Sequence, residues 1–583
     1  MAETPSNISE DNKNQESKVG SWDRRLRSEK GFQETWATEF SRLSRRFHNG
    51  EAPPAPVTHS GMPIKPCYFL TDIDDISPDD INAPGSFPFT RGLYASQYQL
   101  FPWANQPVIG YGLPEHTRER MDSLRAQGMT GYMGRTFYNL VYDLVSHQGI
   151  DPDHPAAAGR VGKDGMAVYC RQDMEILFRG LDLTAINVVH ITDYEVLPVL
   201  AHYLAYAQTK GVPWDALRGN TMNWYYISAY CGMSCFPPEM GKRLAVELIR
   251  FCVRHMPQWN TLNLFGYGIE EAGGNAVHEI GLVVAAGIEY AKSCIDAGMN
   301  PNDVLGRFGF QIAQANDFFE EIAKVRALRQ IWAKQCRKLG ATKASAMHAR
   351  IHTHTSGAVL TGQQPLVNLI RTTLHALGAA LAGVQAMEVS SFDEALAIPT
   401  EMAHTLSLRV QQVIQEETNI TAVTDPLGGS YYVERLTADL VQAGENLIDE
   451  LEKRGGYTRN HAYVRSLIEE RSARWRNDVE SGRRVMVGVN KYDTPDPLTV
   501  EVFEVPPQDE AISVKRIREL RQLRDPSKWQ KAMRRVEHAL GEFADGRQGL
   551  DLIPAMVEAS LADATTGELM EAMKKHLGWI SPY

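Results

Sequence analysis

The segment MHARIHTHTSG, at residues 347–357, is the third of three short β-rich runs that alternate with helical stretches. The earlier two are TAINVVHIT (184–192) and WNTLNLFGY (259–267), and helical patterns occupy residues 238–256 and 316–340. Strands and helices that alternate in this way predict an α/β fold with a parallel sheet. The stretch spans roughly 300 residues and suits a (β/α)8 TIM barrel, with an open doubly wound sheet as the alternative that periodicity leaves open.

Large basic side chains occupy alternate positions of this third run, at His348, Arg350, His352 and His354. Successive side chains of a strand point to opposite faces, so these four share one face. Because burying such groups requires partners, we expect them to point toward an anionic ligand, carboxylates or a metal ion. The alternative is a helix or an exposed strand, in which these side chains meet water.

The organisation along the chain predicts four parts. Residues 1–20 are polar, without an apolar period, which indicates a disordered tail. Residues 21–89 contain a proline-rich break and are interpreted as an N-terminal arm laid over another part of the chain. Residues 90–400 form the predicted barrel. Residues 401–583 contain long charged helical segments and a second proline-rich stretch, so we expect a helical C-terminal region and linker.

Composition excludes several classes of protein. The 583 residues are 43% hydrophobic and 22% charged, which is ordinary for a globular protein, and the net charge is −11. A mildly acidic chain argues against nucleic-acid binding, and no run of about 18 apolar residues predicts a membrane span. The polar N-terminus lacks an apolar signal core and the seven cysteines are scattered, so we expect a cytoplasmic protein with reduced thiols.

Common catalytic motifs are missing from the sequence. It contains no GxxxxGK[ST] phosphate loop and no GxGxxG after a predicted strand. It also contains no HExxH zinc helix and no GxSxG nucleophile elbow. The candidate site therefore rests on the basic run and on longer stretches of the chain.

Several stretches resemble, in the same order and at similar spacing, the methylmalonyl-CoA mutase family of adenosylcobalamin-dependent acyl-CoA mutases. The resemblance covers about residues 22–580, nearly the whole chain. Its strings are FPFTRGLYAS (87–96), MPQWN and GYGIEEAG (within 256–273), RIHTHTSG (350–357), SSFDEALAIPT (390–400), TDPLGGSYYVE (424–434) and VGVNKY (487–492).

The resemblance implies an acyl-CoA-binding (β/α)8 barrel threaded by the pantetheine of the substrate. In the family, cobalamin caps the barrel from a flavodoxin-like domain with an Asp-x-His-x-x-Gly motif, which is absent from this sequence. The chain is thus similar to the large subunit of a split mutase, such as those acting on isobutyryl-CoA or 2-hydroxyisobutyryl-CoA. A separate small cobalamin-binding subunit would bring the adenosylcobalamin, and we expect a homo- or hetero-oligomer.

The resemblance also implies roles for individual positions. Those that match substrate-binding positions, or replace the family residue there, are Tyr94, Gln106, Val108, Asn260 and Arg350. Catalytic roles fall to His352, His354 and Gln385. The side chains expected to face or underlie the corrin are Tyr142, Leu144, Glu271, Gly357, Glu394 and Ala395.

Departures from the family pattern are concentrated at the substrate. The arginine-rich segment RPWTxRQ of the family becomes FPWANQPVI (101–109), in which Gln106 replaces an arginine and Val108 the substrate-selecting residue. The histidine of the family's GYH string becomes Gly268. Other replaced positions are Phe101, Ala104, Met222, Gly232, Ser345 and His354.

These departures disfavour a dicarboxylic substrate, because the lost arginines would supply charge-assisted hydrogen bonds of about 1.5–3 kcal/mol each. His352, His354 and His190 are candidates to fill the place left at Gly268. The first hypothesis is a mutase large subunit that rearranges a non-dicarboxylic or atypical acyl-CoA by a radical mechanism.

The second hypothesis is a mutase-fold protein that has lost radical chemistry. One version is an enzyme that uses histidines for proton transfer or holds a divalent metal at His348, His352 and His354, with Glu388 nearby. The other version is a non-catalytic scaffold subunit. A small cobalamin-binding partner would distinguish the first hypothesis from both versions of the second.

Overall fold

The computed structural model describes residues 28–46, 56–131, 135–223, 236–494 and 500–580. These residues form an α/β architecture of short parallel strands surrounded by helices. The predicted disordered tail, residues 1–20, lies outside the described residues. The strands are β1 (Ala104–Asn105), β2 (Val108–Ile109), β3 (Thr136–Val141), β4 (Ile186–Ile191), β5 (Gly219–Thr221), β6 (Trp259–Asn260), β7 (Leu262–Phe265), β8 (Phe308–Gln314), β9 (Arg350–Thr355) and β10 (Ala386–Glu388).

The strands form two five-stranded parallel sheets, in the orders β1-β10-β9-β8-β7 and β2-β3-β4-β5-β6. Only Gln106 and Pro107 separate β1 from β2, and only Thr261 separates β6 from β7. Pro107 has no N–H to donate to a ladder, which accounts for the first break. The predicted α/β class with parallel sheets is therefore confirmed.

Helices connect and cover the strands, as parallel pairing requires. The helical patterns predicted at residues 238–256 and 316–340 coincide with the helices Pro238–His255 and Phe318–Lys338. The helices of the described residues are α1 (28–46), α2 (Pro78–Ile81), α3 (Pro114–Ala126), α4 (Leu144–His147), α5 (Arg171–Phe178), α6 (Val196–Thr209), α7 (Pro238–His255), α8 (Tyr267–Glu271), α9 (Ala276–Asp296), α10 (Pro301–Leu305), α11 (Phe318–Lys338), α12 (Val367–Ala382), α13 (Glu401–Glu417), α14 (Tyr431–Lys453), α15 (His461–Glu480), α16 (Gln508–Leu523), α17 (Pro526–Ala544), α18 (Leu552–Leu561) and α19 (Thr566–Leu577).

Two large hydrophobic clusters lie between the sheets and the helices. One packs β7, β8 and β9 against α9, α11, α12 and α14, and the other packs β3 and β4 against α5, α6, α7 and α17–α19. The large side chains of Trp332 and Trp259 are almost fully buried in these clusters. No described helix combines the length and the apolar composition needed to cross a membrane.

A buried ionic cluster fixes β8 to the helices behind it. The Lys324 ammonium on α11 contacts the carboxylates of Glu279 on α9 and Glu321 on α11, and it donates to the Ala313 carbonyl of β8 at 3.0 Å. The Glu279 carboxylate also accepts from the Ala313 N–H. Burial alone lowers the pKa of Lys324, but the charges of Glu279 and Glu321 raise it above its usual value, so the ammonium stays protonated.

We expect the Lys324→Met substitution to lower the free energy of unfolding by about 3–5 kcal/mol, because it leaves two carboxylates buried without their cation. The control is Lys292→Met, which removes an exposed ion pair with Glu452 and should cost at most about 1 kcal/mol. Urea unfolding followed by circular dichroism measures both. Equal stability of the two variants would contradict the role given to Lys324.

Candidate functional site

A cavity of about 160 Å³ lies between the inner faces of the two sheets. Its walls are mostly neutral, and carboxamides from several strands supply most of the polar atoms. Such walls offer hydrogen-bond donors and acceptors without net charge, which suits a ligand that contains amide groups. The polar lining residues are Gln106, Asn139, Asn220, Asn260, Asn263, Arg350, His352 and Gln385, with Tyr94 at one end.

Two of the predicted site residues on this cavity are held by backbone groups. The Arg350 guanidinium donates to the carbonyl oxygens of Gly306 and Phe308. The Gln385 amide accepts from the Ile351 N–H at 2.9 Å and donates to the Gly383 carbonyl at 3.1 Å. Their side chains therefore have fixed orientations, and much of their hydrogen-bonding capacity is already used.

His352, in contrast to Arg350 and Gln385, is not held by hydrogen bonds to described residues. Both of its ring nitrogens are shielded from water and have no hydrogen-bond partner among the described residues. Burial lowers the pKa of His352 to about 3, so the imidazole is neutral near pH 7. A neutral imidazole offers one N–H donor and one acceptor, and both are available to a ligand in the inner cavity.

His354 lies two residues further along β9 and lines a second cavity, of about 290 Å³, at the carboxyl ends of the strands. Its ring stacks on Tyr267, with centroids 4.3 Å apart, and burial lowers its pKa to about 3. Glu388 is its register partner on β10 and lines the same cavity, as does Val108. Burial raises the pKa of Glu388 well above its usual value, and one carboxyl oxygen has no partner among the described residues.

Carboxyl groups gather beside this second cavity. The Ser356 hydroxyl donates to Glu271 at 2.8 Å and also contacts Glu270 at 2.5 Å. At Gly357 an added Cβ would lie 3.2 Å from the Glu271 carboxyl, so the glycine allows close packing there. Burial, followed by the charges of Glu271 and Asp393, raises the pKa of Glu394 to about 7. Of these carboxyls, Glu394 therefore exchanges its proton near neutral pH.

The remaining predicted corrin-side residues lie in different surroundings. Leu144 is half-buried at the start of α4, and Ala395 is exposed next to Glu394. Tyr142 is fully buried, and its hydroxyl lies 2.8 Å from the His190 Nδ1. Tyr142 lines neither of the two cavities.

His190 does not fill the place left at Gly268. Its ring lies 4.8 Å from that of Tyr203 on α6, and it packs near Trp259. It therefore faces the helix layer, while its neighbour Val189 lines the inner cavity. The strand alternation that places Val189 inward directs His190 outward.

The three histidines proposed as a metal site are not brought together. His348 precedes β9 and makes edge contacts with Phe89 and Tyr94, whose ring centroids are 4.6 and 5.7 Å away. It lines neither cavity, whereas His352 and His354 line one each. Across the described parts of the chain, no three His, Cys, Asp or Glu side chains are arranged to hold a metal ion.

An aromatic ring occupies the space beside Gly268. A Cβ added there would lie 2.4 Å from the Phe265 ring, which packs with Phe137, Val189 and Met222 in an apolar cluster. Sequence reasoning did not single out Phe265 or Tyr267, although both fall in the quoted WNTLNLFGY run. Ser345 is exposed in a short turn before β9, and Gly232 lies outside the described residues.

Comparison with known proteins adds an independent finding. The methylmalonyl-CoA mutase family profile matches residues 57–579. The chain is 35% identical over 532 residues to the methylmalonyl-CoA mutase of Rhizobium meliloti (strain 1021), which covers 89% of this chain and 72% of that protein. For the Escherichia coli (strain K12) enzyme the identity is 34% over 523 residues, covering 89% and 71%. For the mitochondrial enzyme of Homo sapiens it is 33% over 551 residues, covering 93% and 71%. The resemblance predicted from the sequence is confirmed, and the chain belongs to the methylmalonyl-CoA mutase family.

Proposed function

We propose that this chain is the large subunit of an adenosylcobalamin-dependent mutase for an acyl-CoA whose acyl group lacks a second carboxylate. The observation that carries the proposal is the scarcity of charged side chains in the inner cavity. Among the described residues that line it, Arg350 is the one cation, and its guanidinium contacts two backbone carbonyls. A substrate carboxylate would lose its hydration there, and the one guanidinium in the lining already donates to the backbone.

We infer that the two sheets make up one eight-stranded barrel. In this interpretation residues 104–109 and 259–265 are each a single strand shared by both sheets. The Gln106 N–H donates to the Met387 carbonyl, and the Asn263 N–H donates to the Met222 carbonyl, so backbone bonds support the joins. The inner cavity then lies on the barrel axis, within a unit of residues 90–400 that the helical region 401–583 follows.

The axial cavity suits the pantetheine and the thioester of a coenzyme A ester. The side-chain oxygens of Asn139 and Asn220 have no partner among the described residues and can accept from pantetheine amide N–H groups. His352, being neutral, can donate one N–H to the thioester carbonyl. The Phe265 cluster supplies an apolar wall that keeps water from the acyl group.

The carboxyl groups at the carboxyl ends of the strands suit the corrin of cobalamin, which carries amide side chains at its edge. Glu271 and Glu394 border this end, and Gly357 brings the backbone close to both carboxyls. Leu144 and Ala395 complete the proposed face. Bound adenosylcobalamin would supply the organic radical that starts a 1,2-rearrangement. We propose that a separate small subunit carries it and that the complex is an oligomer.

Substrate choice tests the proposal. The complex purified from its native host through a tag on this chain should contain a small cobalamin-binding chain. With adenosylcobalamin it should isomerise isobutyryl-CoA or 2-hydroxyisobutyryl-CoA with a kcat/KM at least about tenfold above that for methylmalonyl-CoA. Mass spectrometry identifies the partner, and liquid chromatography of the esters measures turnover.

An arginine introduced into the inner cavity should reduce the preference for esters without a second carboxylate over methylmalonyl-CoA. Gln106→Arg is expected to raise the relative kcat/KM for methylmalonyl-CoA about tenfold, because it offers the carboxylate a charged partner. Gln106→Met is the control and should not do so. Methylmalonyl-CoA as the best substrate of the unaltered protein would contradict the proposed specificity, and no isomerase activity with no small partner would contradict the function.

The role of His352 can be tested on β9 itself. His352→Ala should lower kcat/KM by at least about 100-fold while the melting temperature stays close to that of the unaltered protein, since the His352 ring has no hydrogen-bond partner among the described residues. The neighbouring Thr353 points to the other face, so Thr353→Val is the control with near-normal turnover. Full activity of the alanine variant would remove His352 from the site.

Glu394 should make stability depend on pH. Its pKa is about 7 in the folded protein, against the usual 4.5. Between these pH values the folded protein keeps a proton on Glu394 that the unfolded chain has released. The free energy of unfolding therefore falls as the pH rises through this range. Glu394→Gln has no carboxyl to ionise and should not lose stability in this way. The melting temperature of the variant, relative to that of the unaltered protein, should therefore be higher at pH 8 than at pH 5. A difference that does not change with pH, as expected for the exposed control Glu416→Gln, would contradict the assignment.

A further inference from the structure

A cavity of about 430 Å³ lies between α15, the start of α9 and residues 57–61. It shares no lining residue with the two cavities of the proposed mutase site. Its wall is rich in arginine and histidine. The lining residues are Val57, Thr58, His59, Ser60, Gly61, Asn275, His278, Leu467, Glu470, Arg471, Arg474, Asp478 and Arg484.

The carboxylates of this cavity are already paired. Glu470 forms an ion pair with Arg474 at 2.7 Å, and both side chains are exposed. Asp478 forms an ion pair at 2.8 Å with Arg483, which does not line the cavity. Arg471 and Arg484 are thus left without a carboxylate hydrogen-bonded to either of them among the described residues.

The two remaining guanidiniums are close enough to repel each other. Arg471 is buried, and its Nη2 donates to the His59 carbonyl at 2.8 Å. Burial, followed by the charge of Arg484, lowers the pKa of Arg471. The Arg484 side chain makes no hydrogen bond or ion pair within the described ranges and is half-buried. Asp478 and Glu320 act on Arg471, and Asp317 lies near Arg484, but none of these carboxylates is hydrogen-bonded to either guanidinium. An anion between the two guanidiniums would offset the remaining repulsion.

Neutral hydrogen-bonding groups complete the lining. The His59 Nε2 and the His278 Nδ1 are shielded from water and have no partner among the described residues. Ser60 is different, because its N–H donates to the Glu320 carboxylate at 3.1 Å and its hydroxyl lies beside the same group. Burial, followed by the charge of Arg471, lowers the pKa of His59 to about 2 and that of His278 to about 4. Both imidazoles are therefore uncharged near pH 7, and each can donate one N–H.

We propose that this cavity binds a small organic phosphate, whose phosphate group lies between Arg471 and Arg484 and accepts from His59 and His278. A phosphate carries up to two negative charges, which match the two cations that lack a carboxylate partner. Its three terminal oxygens match the number of donors better than a single carboxylate does. The cavity of about 430 Å³ is more than ten times the volume that one water molecule occupies in the liquid, about 30 Å³, so it has room for an organic portion.

The phosphate site would contact the segment that follows Glu271, one of the residues proposed to face the corrin. A Cβ on Gly273 would be 2.5 Å from the Ser472 side chain on α15, so these elements are in close contact. Asn275 lines the cavity and caps α9 by accepting from the His278 N–H at 2.9 Å. A ligand here would therefore contact the chain four residues beyond Glu271.

Isothermal titration of the full-length protein with inorganic pyrophosphate tests the site without substrate or cobalamin. The unaltered protein should bind saturably. Arg484→Gln should weaken binding at least about tenfold, because one charge-assisted contact is lost. The pyrophosphate affinity of Arg484→Lys should lie between those of the unaltered protein and of Arg484→Gln. The matched control is Arg476→Gln, which removes an exposed arginine of α15 outside the cavity and should leave the affinity unchanged.

Folding of the key variant is not at risk, because the Arg484 side chain forms no hydrogen bond within the described ranges that could be lost. Without anion, Arg484→Gln should melt close to the temperature of the unaltered protein, since both the repulsion with Arg471 and the attraction to Asp317 are gone. Equal pyrophosphate affinity in the unaltered protein and in Arg484→Gln would place the anion elsewhere and overturn the proposal. So would the absence of saturable binding, or equally tight binding of citrate at matched ionic strength, which would indicate a carboxylate site.

Discussion

The Lys324 ammonium holds together the elements on which the site depends. It is fully buried and joins α9, α11 and β8 through Glu279, Glu321 and the Ala313 carbonyl. Removing such charges from water is costly, so the cluster is stable only while all of its members are in place. Ala313 is the register partner of His354, and the cluster therefore fixes the strand next to the one that carries both histidines.

The polar groups that surround β9 differ between its two ends, and the site therefore has two parts. His352 meets the neutral carboxamides between the sheets, whereas His354 meets Glu388 and the carboxyl group of Glu394. Burial keeps both imidazoles uncharged and favours the protonated form of the carboxyls. Hydrogen bonding is thus available at both ends with little net charge. In the proposed function this suits a neutral thioester on one side and a polar cofactor face on the other.

The sequence was sufficient to predict those features that depend on local periodicity. The alternation of helices and parallel strands and the shared face of Arg350, His352 and His354 follow from spacing alone. His348 lies outside this pattern because a short turn at Ala344–Ala346 precedes the strand, so the alternation does not extend that far back. The outward position of His190 required knowledge of which face of β4 meets α6. Charges that the fold brings together, such as Arg484 beside Arg471, leave no local signal.

In the proposed mutase, glycine at position 268 leaves room for an aromatic side chain in the cavity wall. The family histidine at this place would need the space that the Phe265 ring now fills, since a Cβ at Gly268 would lie 2.4 Å from that ring. Glycine is therefore required as long as the ring stays where it is. The ring joins Val189 and Met222, so that side of the cavity is apolar, and the polar groups available to a thioester lie on β9 and among the carboxamides. In the proposed mutase, control of the reacting group has accordingly moved from α8 to His352 on the opposite side of β8.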